Sequence, residues 1–232
     1  MDLKEIDSVN PDKHWYYLTK SYALNRKFSK YSYSANIIGD IGAGDGFFIK
    51  KLPINNIHSN LFCIDTGYLK DTTQNNISYI REYNETDLEA LLFIDVLEHV
   101  QNDVALLEEY VSKSKSGSYF YITVPAFQSL WSGHDVFLGH VKRYTLKDIV
   151  SKAEEAGLNV VEAQYIFSFI FPLVWLKRKI RFKKQIVPQS SLKEVGLIFN
   201  YILKSLCLLE HRFFVNQFFG LSCLVIGKND TL

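Results

Sequence analysis

The stretch Asp40-Ile41-Gly42-Ala43-Gly44-Asp45-Gly46 is the best guide to the architecture of this chain. It follows the apolar pair Ile37-Ile38 and precedes residues 47–52, which we predict to begin a helix. An acidic residue at a strand end, three glycines at alternate positions and a helix start are typical of a loop that closely contacts a ligand. Glycine suits such a loop because it accepts positive φ and has no Cβ atom to hold the ligand away.

The spacing of these glycines indicates which cofactor the loop contacts. The dinucleotide fingerprint G-x-G-x-x-G needs its third glycine at position 47, where this chain has Phe47. The form D-x-G-x-G-x-G instead resembles the S-adenosylmethionine (SAM) loop of class I methyltransferases. The resemblance implies that the loop binds SAM through Asp40, Gly42, Ala43, Gly44 and Gly46. The alternative is that the glycines serve only the local turn.

A second candidate cofactor residue, Asp65, follows the apolar run at residues 61–64. It lies 19 positions after Gly46, close to the spacing of the carboxylate that binds ribose hydroxyls in dinucleotide-binding folds. A carboxylate accepts hydrogen bonds from both hydroxyls in a charge-assisted arrangement. We therefore predict that Asp65 and the adjacent Thr66 bind the cofactor. The alternative is an aspartate that only caps the next turn.

A third segment, residues 91–100, contains the string D-V-L-E-H-V after an apolar strand. The string resembles the motif that follows the fourth strand in the same superfamily, which implies that Asp95 and Val96 contact SAM. Asp40, Asp65 and Asp95 each end a predicted strand. Because ligands of parallel sheets bind outside the carboxyl ends of the strands, we expect these three carboxylates to converge on one rim.

The pattern along the chain predicts an α/β fold. Strand-like runs at residues 36–40, 61–65, 78–81, 90–94 and 118–124 alternate with helical or loop stretches. Further strands are predicted at residues 159–169 and 220–227, and helices at residues 103–112 and 145–156. With the resemblance, this predicts a Rossmann-like class I methyltransferase fold. Its seven-stranded sheet is mostly parallel, with an antiparallel last strand and a helical insertion before that strand.

We predict a single methyltransferase domain over residues 1–232. It comprises a helical lead-in (1–34), a SAM-binding core (35–169), a helical insertion (170–217), and the last strand with its tail (218–232). The insertion is apolar and then basic, and neither of its apolar runs reaches the roughly 20 residues that span a bilayer. It is interpreted either as a helical lid or as an interfacial surface. On the second interpretation Phe171, Trp175 and Phe182 enter lipid and nearby basic residues bind anionic headgroups.

The composition of the chain indicates the cellular compartment and the kinds of partner that we expect for this protein. The net charge is +1, with 26 basic against 25 acidic side chains, so we expect no nucleic-acid partner. The three cysteines are far apart in apolar runs and are typical of buried thiols in a reducing compartment. The first seven residues lack the apolar core of a signal peptide. These features predict a cytoplasmic protein, with peripheral contact at the inner membrane face as the alternative to a fully soluble one.

The acceptor side is predicted from residues 124–145, which contain V-P-A-F-Q-S-L-W-S-G-H-D and L-G-H-V-K-R-Y-T. They resemble the signature V-P-A-x-x-x-L-W-S-x-H-D … G-H-x-x-R-Y-T of a bacterial subgroup similar to methyltransferase types 11 and 12. Relatives in that subgroup often accompany enzymes of cell-surface glycan or polyprenyl-lipid metabolism. The resemblance therefore implies a small-molecule, sugar-like or lipid-linked acceptor.

This loop supplies the residue types that an acceptor site needs. Trp131 and Tyr144 are candidates for stacking, and Arg143 for binding an anionic group. A hydroxyl acceptor benefits from a general base, and histidine titrates near neutrality. Our candidates for the base are, in order, His134, His140 and His99.

A metal site is the remaining possibility in the D-V-L-E-H-V segment. Asp95, Glu98 and His99 fall at i, i+3 and i+4, on one face of a helical turn. Such a cluster is similar to metal-binding helices in a few methyltransferases, but the same string is widespread where no metal is known. Because no fixed fourth ligand is evident, we assign no metal ligand from the sequence, and whether the protein uses a metal stays open.

The function predicted from the sequence is SAM-dependent methyl transfer to a small-molecule or lipid-linked acceptor. A nicotinamide or flavin oxidoreductase is disfavoured by Phe47 in the third-glycine position. A non-catalytic SAM-binding or membrane-associated partner subunit is disfavoured by the intact loop, Asp65 and the D-V-L-E-H-V string.

Overall fold

The structure is a computed structural model. It describes residues 9–54, 56, 58–181, 187–188, 190 and 195–231. Eight strands of the described residues form one sheet in the order β3-β4-β2-β1-β5-β6-β8-β7. The strands are β1 (Ile37–Ile41), β2 (Asn60–Ile64), β3 (Thr72–Gln74), β4 (Ile77–Ile80), β5 (Leu88–Ile94), β6 (Ser114–Pro125), β7 (Leu158–Ile166) and β8 (Ser222–Asn229). The α/β prediction is confirmed.

The pairing directions also agree with the prediction. β4, β2, β1, β5 and β6 are mutually parallel, whereas β8 is antiparallel to both β6 and β7. The sheet has one strand more than the seven expected, because the polar run Thr72–Gln74 pairs antiparallel with β4. Asn75 and Asn76, at φ 50° and 63°, form the two-residue turn of this hairpin, and asparagine tolerates these left-handed angles well.

Helices cover both faces of the sheet. They are α1 (Trp15–Tyr31), α2 (Asp103–Ser112), α3 (Gly133–Leu138), α4 (Leu146–Glu155), α5 (Phe171–Arg181) and α6 (Leu197–Phe213). Buried residues of α2 and α4 pack on one face. Those of α1 and α6 pack on the other face, together with the segment after the glycine loop. The predicted capping box of α4 is present, since Thr145 and Asp148 each accept a backbone N–H from the other.

The helix expected directly after the glycine loop is the main local departure from the prediction. Only a 3₁₀ turn, Ile49–Lys51, forms there. Leu52 is extended, at φ −63° and ψ 141°, because the ring of the following Pro53 disfavours a helical conformation in the residue before it. The lead-in helix α1 covers part of the sheet face on which the segment after the glycine loop packs, and its Tyr17, Leu24 and Phe28 belong to the core there.

The insertion between β7 and β8 consists of α5 and α6. Leu203 and Cys207 of α6 reach the core, and α6 packs along α1, where Asn200 accepts the N–H of Trp15 at 2.9 Å. Glu210 of α6 is buried and accepts the backbone N–H groups of Ser168 and Phe169. The insertion is therefore anchored to the sheet along one side of α6.

Candidate active site

The glycine loop lies flat across the carboxyl edge of the sheet. Gly42, Gly44 and Gly46 all have positive φ, at 64°, 56° and 73°. A Cβ atom on Gly42 would lie 2.7 Å from Val96 Cγ2, and one on Gly46 would lie 2.7 Å from Cys63 Sγ. The N–H of Gly42 donates to the carbonyl of Ile64 at 2.7 Å. Both the conformation and the close packing therefore require glycine at positions 42 and 46.

Asp65 connects this loop to the segment after β2. Its Oδ2 accepts the N–H of Gly44 at 3.0 Å, and its Oδ1 accepts the N–H of Gly67 at 2.8 Å. The hydroxyl of Tyr68 also donates to the carbonyl of Gly44 at 2.7 Å. Asp65 thus makes the turn-capping contact considered as its alternative role. Because a carboxylate has about four acceptor sites, both oxygens keep capacity for ribose hydroxyls, and the neighbouring Thr66 is exposed.

Asp40 lies deeper in the sheet than we expected. It is inside β1, opposite Cys63 on β2 and Leu92 on β5, so only Asp65 and Asp95 directly follow their strands. The side chain of Asp40 is buried, and its Oδ2 has no hydrogen-bond partner within the described residues. Burial, above all, raises the pKa of Asp40 to about 7. A buried carboxyl with an unused acceptor atom fits a cationic ligand group held beneath the loop.

Asp95 is held by the lead-in helix. Its Oδ2 forms an ion pair with Lys20, and its Oδ1 accepts the hydroxyl of Thr123 at 3.0 Å. Lys20 also donates to the hydroxyl of Tyr16 at 2.6 Å. Burial raises the pKa of Asp95, but the charge and hydrogen bond of Lys20 outweigh it, so the pKa is lowered. Asp95 has a φ of 56°, which turns the chain sharply at the end of β5.

The sequence analysis did not identify Lys20, although its position carries a signal. Lys20 is fully buried and lies on the same face of α1 as Tyr17, Leu24 and Phe28. A lysine on the apolar face of an amphipathic helix needs a partner, because an unpaired buried ammonium group is costly. The ring of Tyr16, which Lys20 contacts, stacks on Phe167 with centroids 5.2 Å apart. The rings of Tyr16 and Phe167 therefore form an aromatic surface beside Asp95.

Two of the three predicted substrate residues have structural partners instead. Tyr144 is buried among α2 and α4, where its hydroxyl lies 2.8 Å from Asp103 Oδ2 and 3.0 Å from the carbonyl oxygen of Leu97, within reach to donate to either. Arg143 forms a bidentate ion pair with the buried Asp135, at 2.6 and 3.0 Å. Other residues therefore hold the side chains of Tyr144 and Arg143, and neither has the freedom to bind an acceptor that the sequence analysis expected. Trp131 remains half-buried in the loop.

The predicted histidines lie close together, with His140 between the other two and in contact with Asp135. Asp135 Oδ1 lies 3.0 Å from His140 Nδ1, and the ring centroids of His99 and His134 lie 4.7 and 6.3 Å from that of His140. Burial lowers the pKa of His134 to about 4, so its imidazole is neutral at pH 7. Hydrogen bonds from His140 and Arg143, working against burial, hold the pKa of Asp135 well below its usual range.

Glu98 lies beside these rings and was not proposed as a catalytic residue from the sequence. Its side chain is fully buried, and neither carboxylate oxygen has a hydrogen-bond partner within the described residues. Burial, followed by the charge of Asp95, raises its pKa well above the usual range. The N–H of Val141 donates to the Glu98 carbonyl at 2.7 Å, which fixes the loop of His140 against this turn.

Comparison with known proteins places the fold. No family model matches the chain, and no curated protein matches its sequence. Among solved structures, one similar protein is a Haloferax volcanii protein assigned as a methyltransferase, solved in complex with the Trm112 methyltransferase activator. Its TM-score is 0.56 at 16% sequence identity, and the match covers 95% of this chain and 91% of that chain. The plantazolicin methyltransferase BamL, solved with S-adenosylhomocysteine (SAH), is similar with a TM-score of 0.53 at 13% identity, covering 98% and 88%.

A further neighbour is phosphoethanolamine N-methyltransferase 2 of Haemonchus contortus, solved with phosphomonomethylethanolamine and SAH. Its TM-score is 0.54 at 12% identity, covering 91% of this chain and 53% of that chain. The chain therefore has the α/β fold of SAM-dependent methyltransferases.

Proposed function

We propose that this protein is a SAM-dependent methyltransferase whose acceptor is a lipid-linked molecule with a free hydroxyl group. The observation that carries the cofactor assignment is the glycine loop, in which three glycines have positive φ and the N–H of Gly44 donates to Asp65. The residues present fit SAM. Asp40 offers an unused buried acceptor atom to the cationic amino group, and Asp65 keeps acceptor sites for the ribose.

SAM supplies an electrophilic methyl group, so the protein's own task is to align the acceptor and exclude water. The glycine loop, Asp65 and Val96 would hold the cofactor, and the Lys20–Asp95 pair fixes the end of β5. His134 is our candidate base, as the sequence predicted. Its ring is neutral at pH 7 and free of a positive charge that would repel a cationic cofactor.

Arg178 replaces Arg143 as the proposed binder of an acceptor anion such as phosphate. It lies on α5 near Arg143 and Asp135, and its buried NH1 has no hydrogen-bond partner within the described residues. Burial, followed by the charge of Arg143, lowers its pKa to about 10, so it remains charged at pH 7. A guanidinium nitrogen that is buried and makes no such hydrogen bond is suited to an anion.

The insertion carries a large exposed apolar surface, which favours a lipid-linked acceptor. Exposed apolar side chains of this surface are Leu173, Trp175, Leu176, Ile180, Leu197, Ile198, Phe199, Tyr201, Ile202, Leu206, Leu209, Phe213, Phe214, Val215, Phe218 and Phe219. Monomeric soluble proteins rarely expose contiguous apolar patches of this size, and such patches mark interaction surfaces. Helix α5 of the insertion also contacts the predicted acceptor loop, because Phe171 packs on Phe127 with ring centroids 5.6 Å apart.

Charge points to an anionic bilayer as the partner of this surface. Residues 163–229 contain ten Lys or Arg against two Asp or Glu, whereas the rest of the chain contains 16 against 23. Phe182, Lys183 and Lys184, and the side chain of Arg181, lie outside the described residues. No described helix is long and apolar enough to cross a membrane. On the exposed apolar side chains and the excess of basic residues, we propose interfacial docking of α5, α6 and residues 214–219.

The cofactor assignment is tested with a thermal-shift screen of SAM, SAH, NAD and FAD. We expect SAM and SAH to raise the melting temperature and NAD and FAD to leave it unchanged. Methyl transfer from labelled SAM is then measured with polar and lipid extracts. A shift with NAD or FAD alone would refute the cofactor assignment. SAM binding with no methyl transfer to either extract would instead support a non-catalytic partner subunit.

The docking proposal is tested by sedimentation with phosphatidylglycerol-containing vesicles. The triple variant Lys177→Gln, Lys179→Gln, Arg212→Gln removes three exposed charges from the docking surface. At about 1 kcal/mol per basic residue, its affinity for the vesicles should fall roughly a hundredfold. The matched control changes three exposed lysines elsewhere, Lys13, Lys70 and Lys147, to glutamine. Equal loss in both triples, or no vesicle binding by the parent chain, would favour a soluble acceptor.

A further inference from the structure

Glu98, His99 and His140 form a cluster that the methyltransferase fold itself does not require. The first two lie on the 3₁₀ turn Leu97–His99 after β5, and His140 lies in the loop after α3. One carboxylate oxygen of Glu98 and one ring nitrogen of each histidine lie within 4.8 Å of one another. The structure thus joins two distant stretches of the chain around one point.

The state of Glu98 indicates that this point holds a cation. Its carboxyl is fully buried, yet neither oxygen has a hydrogen-bond partner within the described residues. Buried polar groups are nearly always hydrogen-bonded, and buried carboxylates are paired or bind metals. The two nearby cationic groups are engaged elsewhere, since Lys20 pairs with Asp95 and Arg143 with Asp135.

The contact of His140 with Asp135 involves only one of its two ring nitrogens. Its Nδ1 lies 3.0 Å from Asp135 Oδ1, which leaves Nε2 as the nitrogen directed away from that carboxylate. Asp135 is itself fixed by the bidentate contact with Arg143 and by the N–H of Ser132 at 2.8 Å. A carboxylate that fixes the tautomer and orientation of a ligating histidine is the usual outer-shell partner in metal sites.

We propose that Glu98, His99 and His140 bind one divalent first-row transition cation, with Zn²⁺ the best suited. Ligand atoms about 3.0–3.5 Å apart surround a metal bound at roughly 2.1 Å, so a small inward movement of the side chains closes the site. Two imidazoles and one carboxylate favour such cations over Mg²⁺ or Ca²⁺. The set differs from the Asp95, Glu98 and His99 grouping considered from sequence, because Lys20 engages Asp95.

The site has a role in the reaction, and this role rests on the proposed function. Three protein ligands leave a position open for the acceptor hydroxyl, whose pKa falls when it binds the cation. The hydroxyl oxygen then forms a bond to the methyl carbon of SAM while the carbon–sulfur bond breaks. The electron pair of that bond passes to sulfur, and the hydroxyl proton passes to a base or to water.

Metal binding is measured on the full, untagged chain after treatment with a chelator. Calorimetry with Zn²⁺ should give one site per chain, and Co²⁺ should give the visible absorption of a low-coordinate site. Glu98→Gln and His140→Gln should each lower the Zn²⁺ affinity at least a hundredfold. The matched controls Glu108→Gln and His58→Gln, at exposed positions, should leave it unchanged. Circular dichroism and the melting temperature without metal establish that each variant is folded.

Two results would overturn the site: no Zn²⁺ binding at micromolar concentrations, or binding that the control variants reduce as much as the ligand variants do. These measurements need no SAM, so they fail or succeed independently of the proposed function. The role in catalysis is overturned separately if SAM binds and chelated protein transfers methyl groups at the full rate. Asp135→Asn gives a further readout, because loss of the orienting carboxylate should weaken Zn²⁺ binding about ten- to a hundredfold.

Discussion

The Lys20–Asp95 ion pair offers the sharpest test of how the lead-in helix supports the site. Asp95→Asn removes the negative charge but keeps the shape of the side chain. Asparagine tolerates the φ of 56° at this position, so the backbone is not strained by the change. Lys20→Met removes the positive charge and preserves both the length of the side chain and the propensity of the helix.

The two variants should differ because the two partners are buried to different degrees. The Lys20 side chain has no solvent exposure, whereas that of Asp95 is 30% exposed. In Asp95→Asn the ammonium group stays buried beside the hydroxyl of Tyr16, and removal of one partner of a buried pair costs about 3–5 kcal/mol. In Lys20→Met the carboxylate keeps Thr123 and contact with water, so we expect a smaller loss of about 1–2 kcal/mol.

The free energy of unfolding of both variants and of the double variant is measured in urea at pH 7. The double variant should be more stable than Asp95→Asn alone, because it no longer buries an unpaired charge. Lys51→Met, which removes a surface ion pair with Asp12, is the control and should cost less than about 1 kcal/mol. Equal losses in the two single variants, or a double variant less stable than either, would refute this assignment of the burial energetics.

Further predictions concern the cofactor loop. Asp65→Ala should weaken SAM binding ten- to a hundredfold in calorimetry, because charge-assisted hydrogen bonds contribute about 1.5–3 kcal/mol; unchanged affinity would place the ribose contact elsewhere. Gly44→Val should abolish SAM binding, since a β-branched residue is strained at its φ of 56°. Gly46→Ala should lower the melting temperature more than Gly117→Ala: both glycines have positive φ, but only the former meets Cys63 at 2.7 Å. Equal shifts would show that strain alone acts.

The positions of the glycine loop, Asp65 and Asp95 in the fold were largely predictable because these residues lie at strand ends in a local pattern. A strand, a turn and an acidic residue are encoded within a few positions, so no tertiary information was needed to place them; that they bind the cofactor stays a prediction. The prediction of secondary structure was less accurate where one or two residues decide which element forms. Pro53 reduces the expected helix to a 3₁₀ turn, and Asn75-Asn76 adds a hairpin strand to the sheet.

The acceptor side was harder to predict because its residue types do not reveal which way the side chains point. Tyr144 and Arg143 have the chemistry of substrate-binding residues, yet one packs in the core and the other holds Asp135. The contact between Glu98 and His140 depends on pairing of segments some forty residues apart. No local period encodes such a contact, so the sequence analysis did not group Glu98 with His140.

The last prediction concerns the pH dependence of stability in the ligand-free protein. The pKa of Asp40 is about 7 in the fold, against an ordinary value of 3.8, and burial is the main cause. The folded state therefore binds more protons than the unfolded state between these two values, so this group lowers stability as pH rises from about 4 through 7. At 1.36 kcal/mol per pKa unit, the full effect is roughly 4 kcal/mol.

Asp40→Asn isolates this effect, because asparagine does not titrate and all other groups are unchanged. The free energy of unfolding of parent and variant is compared at pH 5, 6, 7 and 8. The variant should gain on the parent by up to a few kcal/mol as pH rises, most steeply between pH 5 and 7 and only slightly above pH 7. Parallel profiles would mean that Asp40 ionises without cost, and the buried acceptor beneath the glycine loop would then already have a partner. SAM should reduce the same difference, since a cationic amino group beside Asp40 stabilises its charged form.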